Sequence, residues 1–182
     1  MDPSVMRSLA NWPEVPAVYG WLALDARGNW LLRNPASDAF ERIGNAALRE
    51  FIARNYERDS RGCWYFQNGP QRVYVRLAYT PLVYRLKDDA LTDHCGRGAG
   101  APQGAWLDER GRIVLLGLAG VGVLEDRDLA EASERLVDES GAPADCLARA
   151  RYFECAGART PLGSIASREV PARFGFTPEP LP

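Results

Sequence analysis

The stretch Cys63–Leu86, CWYFQNGPQRVYVRLAYTPLVYRL, holds the densest aromatic content of the chain and predicts three consecutive β-strands. Its first residues include the bulky aromatics at 64–66, which pack well on a pleated surface. Asn68-Gly69-Pro70 is typical of a hairpin turn. The next residues alternate polar and apolar side chains with a period of two, which indicates a half-buried strand. Thr80-Pro81 interrupts this pattern, and the third strand follows at residues 82–86.

Upstream of these strands the sequence predicts a hairpin and then a helix. Strand-like residues 18–24 and 30–32 flank Asp25-Ala26-Arg27-Gly28-Asn29. Aspartate at the start of a turn and glycine at its left-handed position favour a hairpin with a glycine bulge. From Asn45 onward, apolar residues recur at helical spacing, and asparagine is a good N-cap. We therefore predict a helix over residues 45–57.

The downstream half repeats the pattern of the first hairpin. L-D-x-R-G-x followed by three apolar residues occurs at 24–32 and again at 107–115. A helix is predicted after it, over residues 126–137. Turn chemistry alone can produce such a pattern twice, but the matching order of elements favours an internal duplication.

These patterns together predict a β-rich α+β fold of two tandem, similar units, each containing a β-hairpin, a helix and antiparallel strands. Residues 1–87 form the first unit and 104–168 a second, smaller one. Residues 88–103 between them are rich in glycine and short polar side chains, which is typical of a linker or functional loop. Residues 169–182 are predicted to be a proline-rich tail.

Composition narrows the function classes. The chain has 182 residues, of which 46% are hydrophobic and 25% charged, and its net charge is -2. A chain so nearly neutral has no global field to recruit nucleic acid or an anionic membrane surface. No apolar run approaches the roughly 20 residues of a membrane helix. The N-terminal sequence also lacks signal-peptide features, so we expect a cytoplasmic protein, and its arginine-rich, lysine-poor usage suggests a bacterial source.

The candidate binding site is one face of the second aromatic strand. Arg72, Tyr74 and Arg76 lie at alternate positions and therefore share a face, which Arg85 of the next strand is expected to join. Arginine forks suit carboxylates and phosphates, and tyrosine adds a flat, polar-tipped surface. This pattern predicts a site for a small anionic ligand or an acidic protein partner. The alternative is a solvated face whose arginines pair with acids of a covering helix.

A second candidate is the glycine-rich segment containing Gly117, Gly120 and Gly122, placed between a strand and the predicted helix. Glycines in that position can hold a phosphate group. Their spacing, G-x-x-G-x-G, differs from the dinucleotide-binding pattern G-x-G-x-x-G, and no P-loop lysine follows. The alternative interpretation is a tight strand-to-strand turn where two backbones approach closely.

No metal or cofactor is assigned from the sequence. The only histidine, His94, adjoins Cys95, and a zinc site formed with Cys146 or Cys155 is one hypothesis, since zinc favours such ligands. The spacing is unlike that of structural zinc sites, which favours a loop histidine and reduced thiols. Adjacent residues on an extended loop are also expected to point apart, which argues against a catalytic cysteine–histidine pair.

The order of hairpin, helix and aromatic strands, followed by a degenerate second copy with the same L-D-x-R-G pattern, resembles a family. Residues 17–165 are similar to small bacterial proteins of about this length that are grouped as a domain of unknown function, with two related α+β halves. The resemblance implies a binding or scaffolding role and carries no functional residues. We therefore predict a non-enzymatic module for a small ligand or a protein, compatible with a homo-oligomer. A nucleotide- or phosphate-handling enzyme using residues 117–122 is the alternative.

Overall fold

The computed structural model of the protein describes all residues from 1 to 182. The chain forms two compact units, and the boundaries differ from the sequence prediction. Unit 1 comprises Met1–Pro81 together with Gly175–Pro182, and unit 2 comprises Leu82–Phe174. No helix of either unit is long and apolar enough to cross a membrane.

Unit 1 contains two helices and six strands. They are, in chain order, α1 (Pro3–Asn11), β1 (Val18–Leu24), β2 (Trp30–Arg33), β3 (Phe40–Arg42), α2 (Ala46–Arg54), β4 (Tyr56–Arg58), β5 (Trp64–Asn68) and β6 (Gln71–Leu77). The strands form one sheet in the order β3-β2-β1-β6-β5-β4. Only the central pair, β1 and β6, is parallel. The sheet is thus two antiparallel three-stranded halves joined along a parallel pair.

Helix α2 confirms the predicted helix in position and in its N-cap. The Asn45 side chain accepts a hydrogen bond from the Leu48 N–H at 3.0 Å, which satisfies one of the open donors of the first turn. The helix packs on β5 through an edge-to-face contact between Phe51 and Phe66, whose ring centroids lie 5.4 Å apart. It ends at Arg54 rather than at residue 57, because the chain turns directly into strand β4.

Unit 2 contains eight strands with short helices. They are β7 (Leu82–Lys87), β8 (Ala90–Asp93), β9 (Gly104–Leu107), β10 (Ile113–Gly117), β11 (Gly120–Leu124), a 3-10 turn (Asp126–Asp128), α3 (Leu129–Ser133), β12 (Leu136–Val137), β13 (Tyr152–Cys155), β14 (Ala158–Ser164), a second 3-10 turn (Ser167–Glu169) and α4 (Val170–Phe174). The sheet order is β12-β13-β14-β9-β10-β11-β7-β8.

Six strands of unit 2 repeat the topology of unit 1. Strands β9, β10 and β11 form an antiparallel set, a helical segment follows, and β12, β13 and β14 form a second antiparallel set. The first and last of these six strands, β9 and β14, pair in parallel, as β1 and β6 do. Unit 2 differs by two added strands, since β7 pairs with β11 and carries β8 at the edge.

Strand β7 is the main departure from the predicted organisation. All three strands of the stretch at 63–86 form, but β7 belongs to the second sheet rather than the first. It pairs in parallel with β11, with Val83 opposite Val123. Its residues Leu82, Val83 and Tyr84 are each at most 1% exposed, so both faces of the strand are buried in unit 2. The unit boundary therefore falls at Pro81, before this strand, and not at residue 87.

Three further segments differ from the prediction. The predicted linker at 88–103 contains strand β8, which is paired with β7. The predicted helix at 126–137 is shorter, because Leu136 and Val137 pair with β13 instead. The predicted tail at 169–182 is divided. Its first part is helix α4 of unit 2, whereas residues 175–182 pack in unit 1, where the Leu77 N–H donates to the Pro178 carbonyl at 2.8 Å.

One turn design recurs along the chain. In each copy an aspartate carboxylate accepts the backbone N–H groups two and four residues later, and a glycine three residues later has a positive φ. Such a carboxylate satisfies backbone donors that a tight turn leaves open. The turns begin at Asp25, Asp59, Asp93, Asp108 and Asp138. The sequence prediction recognised those at 25 and 108.

Candidate functional site

The predicted face of β6 divides into exposed arginines and a buried tyrosine. Arg72 and Arg76 are exposed, whereas Tyr74 between them is only 4% exposed. Tyr74 lies opposite Tyr65 of the neighbouring strand β5 in the register of the sheet. The ring of Tyr74 is therefore buried beneath the exposed arginines and is not accessible to solvent.

Tyr74 is held by groups from β1 and from the turn before β5. Its ring stacks on Tyr19, with centroids 4.6 Å apart and planes inclined by 8°. Its hydroxyl donates a hydrogen bond to Asp59 Oδ2 at 2.9 Å and accepts one from Arg61 Nη2 at 3.2 Å. Arg61 also contacts the Tyr19 hydroxyl at 3.4 Å. Arg61 was not predicted, because only the fold brings this turn beside β6.

The electrostatics of this group follow from its hydrogen bonds. Burial alone would raise the pKa of Asp59, but donors from Cys63, Tyr74 and Arg61 lower it below its ordinary value. Burial raises the pKa of Tyr74, so the hydroxyl stays protonated and can donate. Hydrogen bonds to Tyr19, Tyr74 and Asp59 raise the pKa of Arg61. The group therefore holds one carboxylate and one guanidinium in fixed positions.

Arg72 extends this group across the sheet. Its guanidinium carbon lies 4.7 Å from the centroid of the Tyr65 ring, which is cation–π geometry. Arg76, in contrast, pairs with Glu179 at 3.4 Å. No carboxylate lies within ion-pair distance of Arg72. We call the surface formed by Tyr19, Arg61, Tyr65, Arg72 and Tyr74 the arginine–tyrosine face.

Arg85 does not join this face. It lies on β7 in unit 2, where its Nε is 2.7 Å from Glu125 Oε2 and 2.7 Å from Asp128 Oδ2. Asp128 also accepts the Leu86 N–H at 2.9 Å, so its carboxylate ties the 3-10 turn to β7. Burial would raise the pKa of Asp128, but the hydrogen bonds from Arg85 and Leu86 lower it. These contacts account for Arg85 as a structural residue of unit 2.

The three glycines of the alternative site lie in a hairpin. Gly117 ends β10 and Gly120 begins β11, and the two are paired across the turn. No helix begins directly after these glycines, since Gly122 lies within β11. A Cβ atom at Gly117 would lie 2.7 Å from the Tyr84 hydroxyl oxygen. The close approach of this ring explains Gly117 and Gly122, and the φ of 130° at Gly120 favours glycine there, as in the tight-turn interpretation.

His94 and Cys95 contact each other, contrary to the expectation that they point apart. Cys95 Sγ lies 3.6 Å from His94 Nε2, and His94 Nδ1 accepts the Val83 N–H at 3.3 Å. Burial raises the pKa of Cys95 to about 12, so the thiol is protonated at neutral pH and is a poor nucleophile. No group of three or more His, Cys, Asp or Glu side chains is arranged to hold a metal ion.

The fold defines the protein as a β-rich α+β protein built on two sheets. The chain belongs to the family DUF2944, described as "Protein of unknown function (DUF2946)", whose model matches residues 1–181. This membership confirms the predicted resemblance to an uncharacterised family. No curated protein matches the chain.

Two solved structures are similar to this chain to different extents. A DUF1285 family protein from Silicibacter pomeroyi DSS-3 is 14% identical, with a TM-score of 0.53 and 85% of each chain covered. A DUF1285 family protein from Shewanella baltica OS155 is 13% identical, with a TM-score of 0.44, covering 60% of this chain and 87% of that one. The similarity to the Silicibacter pomeroyi protein shows a shared fold and says nothing about a shared functional site.

Proposed function

We propose that the protein is a binding module that holds an anionic group, from a small ligand or an acidic protein, on the arginine–tyrosine face. The observation that carries this proposal is Arg72, an exposed guanidinium over the Tyr65 ring with no acidic partner. Arginine offers its donors in a planar fork that matches a carboxylate or a phosphate. Stacking on the ring holds the fork in place, which lowers the entropy lost on binding.

Arg61, which contacts Tyr74, supports the same proposal. Its guanidinium carbon lies 5.5 Å from the Tyr74 ring centroid, and its side chain is 55% exposed. Asp59 neutralises part of its charge, so Arg61 contributes donors more than net charge. Two guanidinium groups over adjacent tyrosines form a surface suited to a group with several acceptor oxygens.

The test is a thermal-shift screen with inorganic phosphate, citrate and a polyglutamate peptide. We expect at least one to raise the Tm of the wild type, since a ligand at 100 times its Kd stabilises by about 2.7 kcal/mol. The variant Arg72→Ala should keep its fold and lose that shift, because Arg72 is the guanidinium without an acidic partner. Arg7→Ala, an exposed arginine of α1, is the matched control and should retain it. If no anion shifts the wild type, or both variants respond alike, the proposal fails.

The alternative, a nucleotide- or phosphate-handling enzyme at residues 117–122, has less support. Tyr84 occupies the space beside Gly117 and Gly122, and its hydroxyl donates to the Gly120 carbonyl at 2.6 Å. A phosphate would have to displace that ring. Adenosine triphosphate in the same thermal-shift screen tests this alternative, with Gly120→Val as its variant.

We also infer that the two six-stranded arrangements arose by internal duplication. The shared strand order, the parallel pairs β1–β6 and β9–β14, and the turns at Asp25 and Asp108 support this inference. The turns at Asp59 and Asp138 follow the equivalent strands β4 and β12. A bacterial source, a cytoplasmic location and a homo-oligomer stay predictions.

A further inference from the structure

The opposite face of the unit 1 sheet contains an apolar cavity of about 240 Å³. It lies between α2 and the sheet, because Ile52 of the helix and Leu22, Phe66 and Val73 of three strands line it. Val73 alternates with Arg72 and Tyr74 along β6 and therefore faces away from the arginine–tyrosine face. The cavity and that face are thus separate features of unit 1.

The cavity has a buried floor and an exposed apolar mouth. Leu22 and Ile52 are 2% and 1% exposed. At the mouth, Trp21, Leu32 and Leu48 remain 43%, 46% and 38% exposed. Single exposed apolar side chains are common on protein surfaces, but a group of them around one cavity indicates a binding site.

A bulge in β1 places Trp21 at this mouth. Val18 pairs with Val73 and Leu22 with Val75, so a four-residue step on β1 lies opposite a two-residue step on β6. Gly20 within the bulge has a φ of 76°, which glycine adopts without steric cost. Bulges commonly redirect a side chain beside a functional site.

The lining determines the chemistry of the ligand. Every lining side chain is apolar except Asn68, and none is charged. A buried anion or cation would therefore find no counter-charge there. For comparison, an engineered cavity of about 150 Å³ lined by leucine, isoleucine and phenylalanine binds benzene. We propose that this cavity binds an uncharged, mainly apolar small molecule somewhat larger than benzene, with one hydrogen-bonding group directed at the Asn68 amide.

The probe is indole, which has an apolar bicyclic ring and one N–H donor. Titration of the full chain, followed by methyl NMR and calorimetry, should show saturable binding with shifts in the methyl signals of Leu22, Leu48 and Ile52. Phosphate should leave those signals unchanged. Arg72→Ala should bind indole as the wild type does, which separates this result from the test of the anion site.

Two variants test whether indole binds in the cavity. Val73→Phe fills the space and should abolish indole binding without lowering Tm, because an aromatic side chain suits a strand and occupies a void. Leu48→Gln, at the exposed mouth, should weaken binding about tenfold, the loss expected from part of one leucine contact. Leu118→Gln alters an exposed leucine of unit 2 and is the control, with no expected change.

Several results would overturn the proposal. The first is indole that saturates no site up to its solubility. The second is indole that shifts the methyl signals of unit 2 as strongly as those of the cavity. A wild type that dimerises, and that Leu48→Gln converts to monomer, would assign the mouth to contact between two copies of the chain instead. Unchanged indole affinity in Val73→Phe with an intact fold would also contradict it.

Discussion

The ring of Tyr84 lies against the backbone of Gly122, so that a Cβ atom there would be 2.7 Å from its Cδ2 and Cε2 atoms. Real Cβ atoms do not come so close, and the Leu82 carbonyl oxygen would stand 2.9 Å away on another side. Tyr84 is fully buried on β7, and Gly122 lies on the adjacent strand β11. The glycine therefore provides the space in which β7 joins the second sheet.

Gly122→Ala is expected to destabilise the protein by about 1–3 kcal/mol, the usual cost of adding a methyl group to a packed interior. Denaturant unfolding measures this change in the free energy of unfolding. Gly98→Ala is the matched control in the same unit, because a Cβ atom there meets nothing within 4 Å. It should change stability by less than about 0.5 kcal/mol. Equal effects of the two substitutions would contradict the packing argument.

Asp59 is expected to make stability depend on pH. Its pKa is lowered in the folded state, so its contribution is present above the unfolded value of about 3.9 and is lost as pH falls below it. Asp59→Asn removes the titrating carboxylate and leaves an amide oxygen, a weaker acceptor, for the Cys63 N–H and the Tyr74 hydroxyl. We expect this substitution to lower the free energy of unfolding at pH 6 by about 1–3 kcal/mol.

The free energy of unfolding at pH 6 and pH 3 tests this expectation. The difference in free energy of unfolding between the wild type and Asp59→Asn should narrow at pH 3. At that pH the unfolded wild type takes up a proton on Asp59, which stabilises the unfolded state, whereas at pH 6 it does not. Asp145→Asn, at an exposed position, is the control and should follow the wild type at both values. A constant difference for Asp59→Asn would refute the assignment.

Arg85→Gln is expected to destabilise unit 2 by about 1–3 kcal/mol. Glu125 is 1% exposed, and the substitution removes a cation 2.7 Å from its carboxylate. Breaking one member of a buried pair leaves a charge without full compensation, although the 45% exposure of Arg85 reduces the effect. The control is Arg149→Gln, whose partner Asp145 is exposed, and it should have almost no effect. Urea unfolding of the two variants compares them directly.

The four thiols are expected to react at different rates. Cys146 is exposed, whereas Cys63 and Cys155 are buried. Burial raises the pKa of Cys155 to about 11 and that of Cys95 to about 12. With Ellman's reagent at pH 8, the native protein should release one fast equivalent, which Cys146→Ser removes. A fast equivalent that remains in that variant would show that Cys95, which is not fully buried, is more reactive than its surroundings allow.

Local patterns predicted the fold class and many of its elements. Asn45 caps a helix as expected, and the strands at 63–86 form, because capping and alternation act within a few residues. Local patterns could not predict which of the two sheets β7 joins. Parallel pairing with β11 depends on packing between Tyr84 and Gly122, which are far apart in the sequence.

The candidate site shows the same division. The shared face of Arg72 and Arg76 follows from the period of two, and both side chains are exposed. The burial of Tyr74 does not follow from it, because Tyr19 of another strand covers the ring. Arg61 lies in a turn whose chemistry is visible in the sequence, but its position over Tyr74 exists only once β5 and β6 are paired.

The parallel central pair has a consequence for synthesis of the chain. Val18 on β1 cannot pair until Val73 on β6 has been synthesised. In the same way, Ala105 on β9 cannot pair until Leu162 on β14 has been synthesised. Each nascent half-sheet therefore leaves the ribosome with an open hydrogen-bonding edge that its own hairpins do not cover. Closing such long loops is slow, and open edges invite pairing with other chains. The interval between the first and the last strand of each repeat is when the growing polypeptide is most exposed to aggregation.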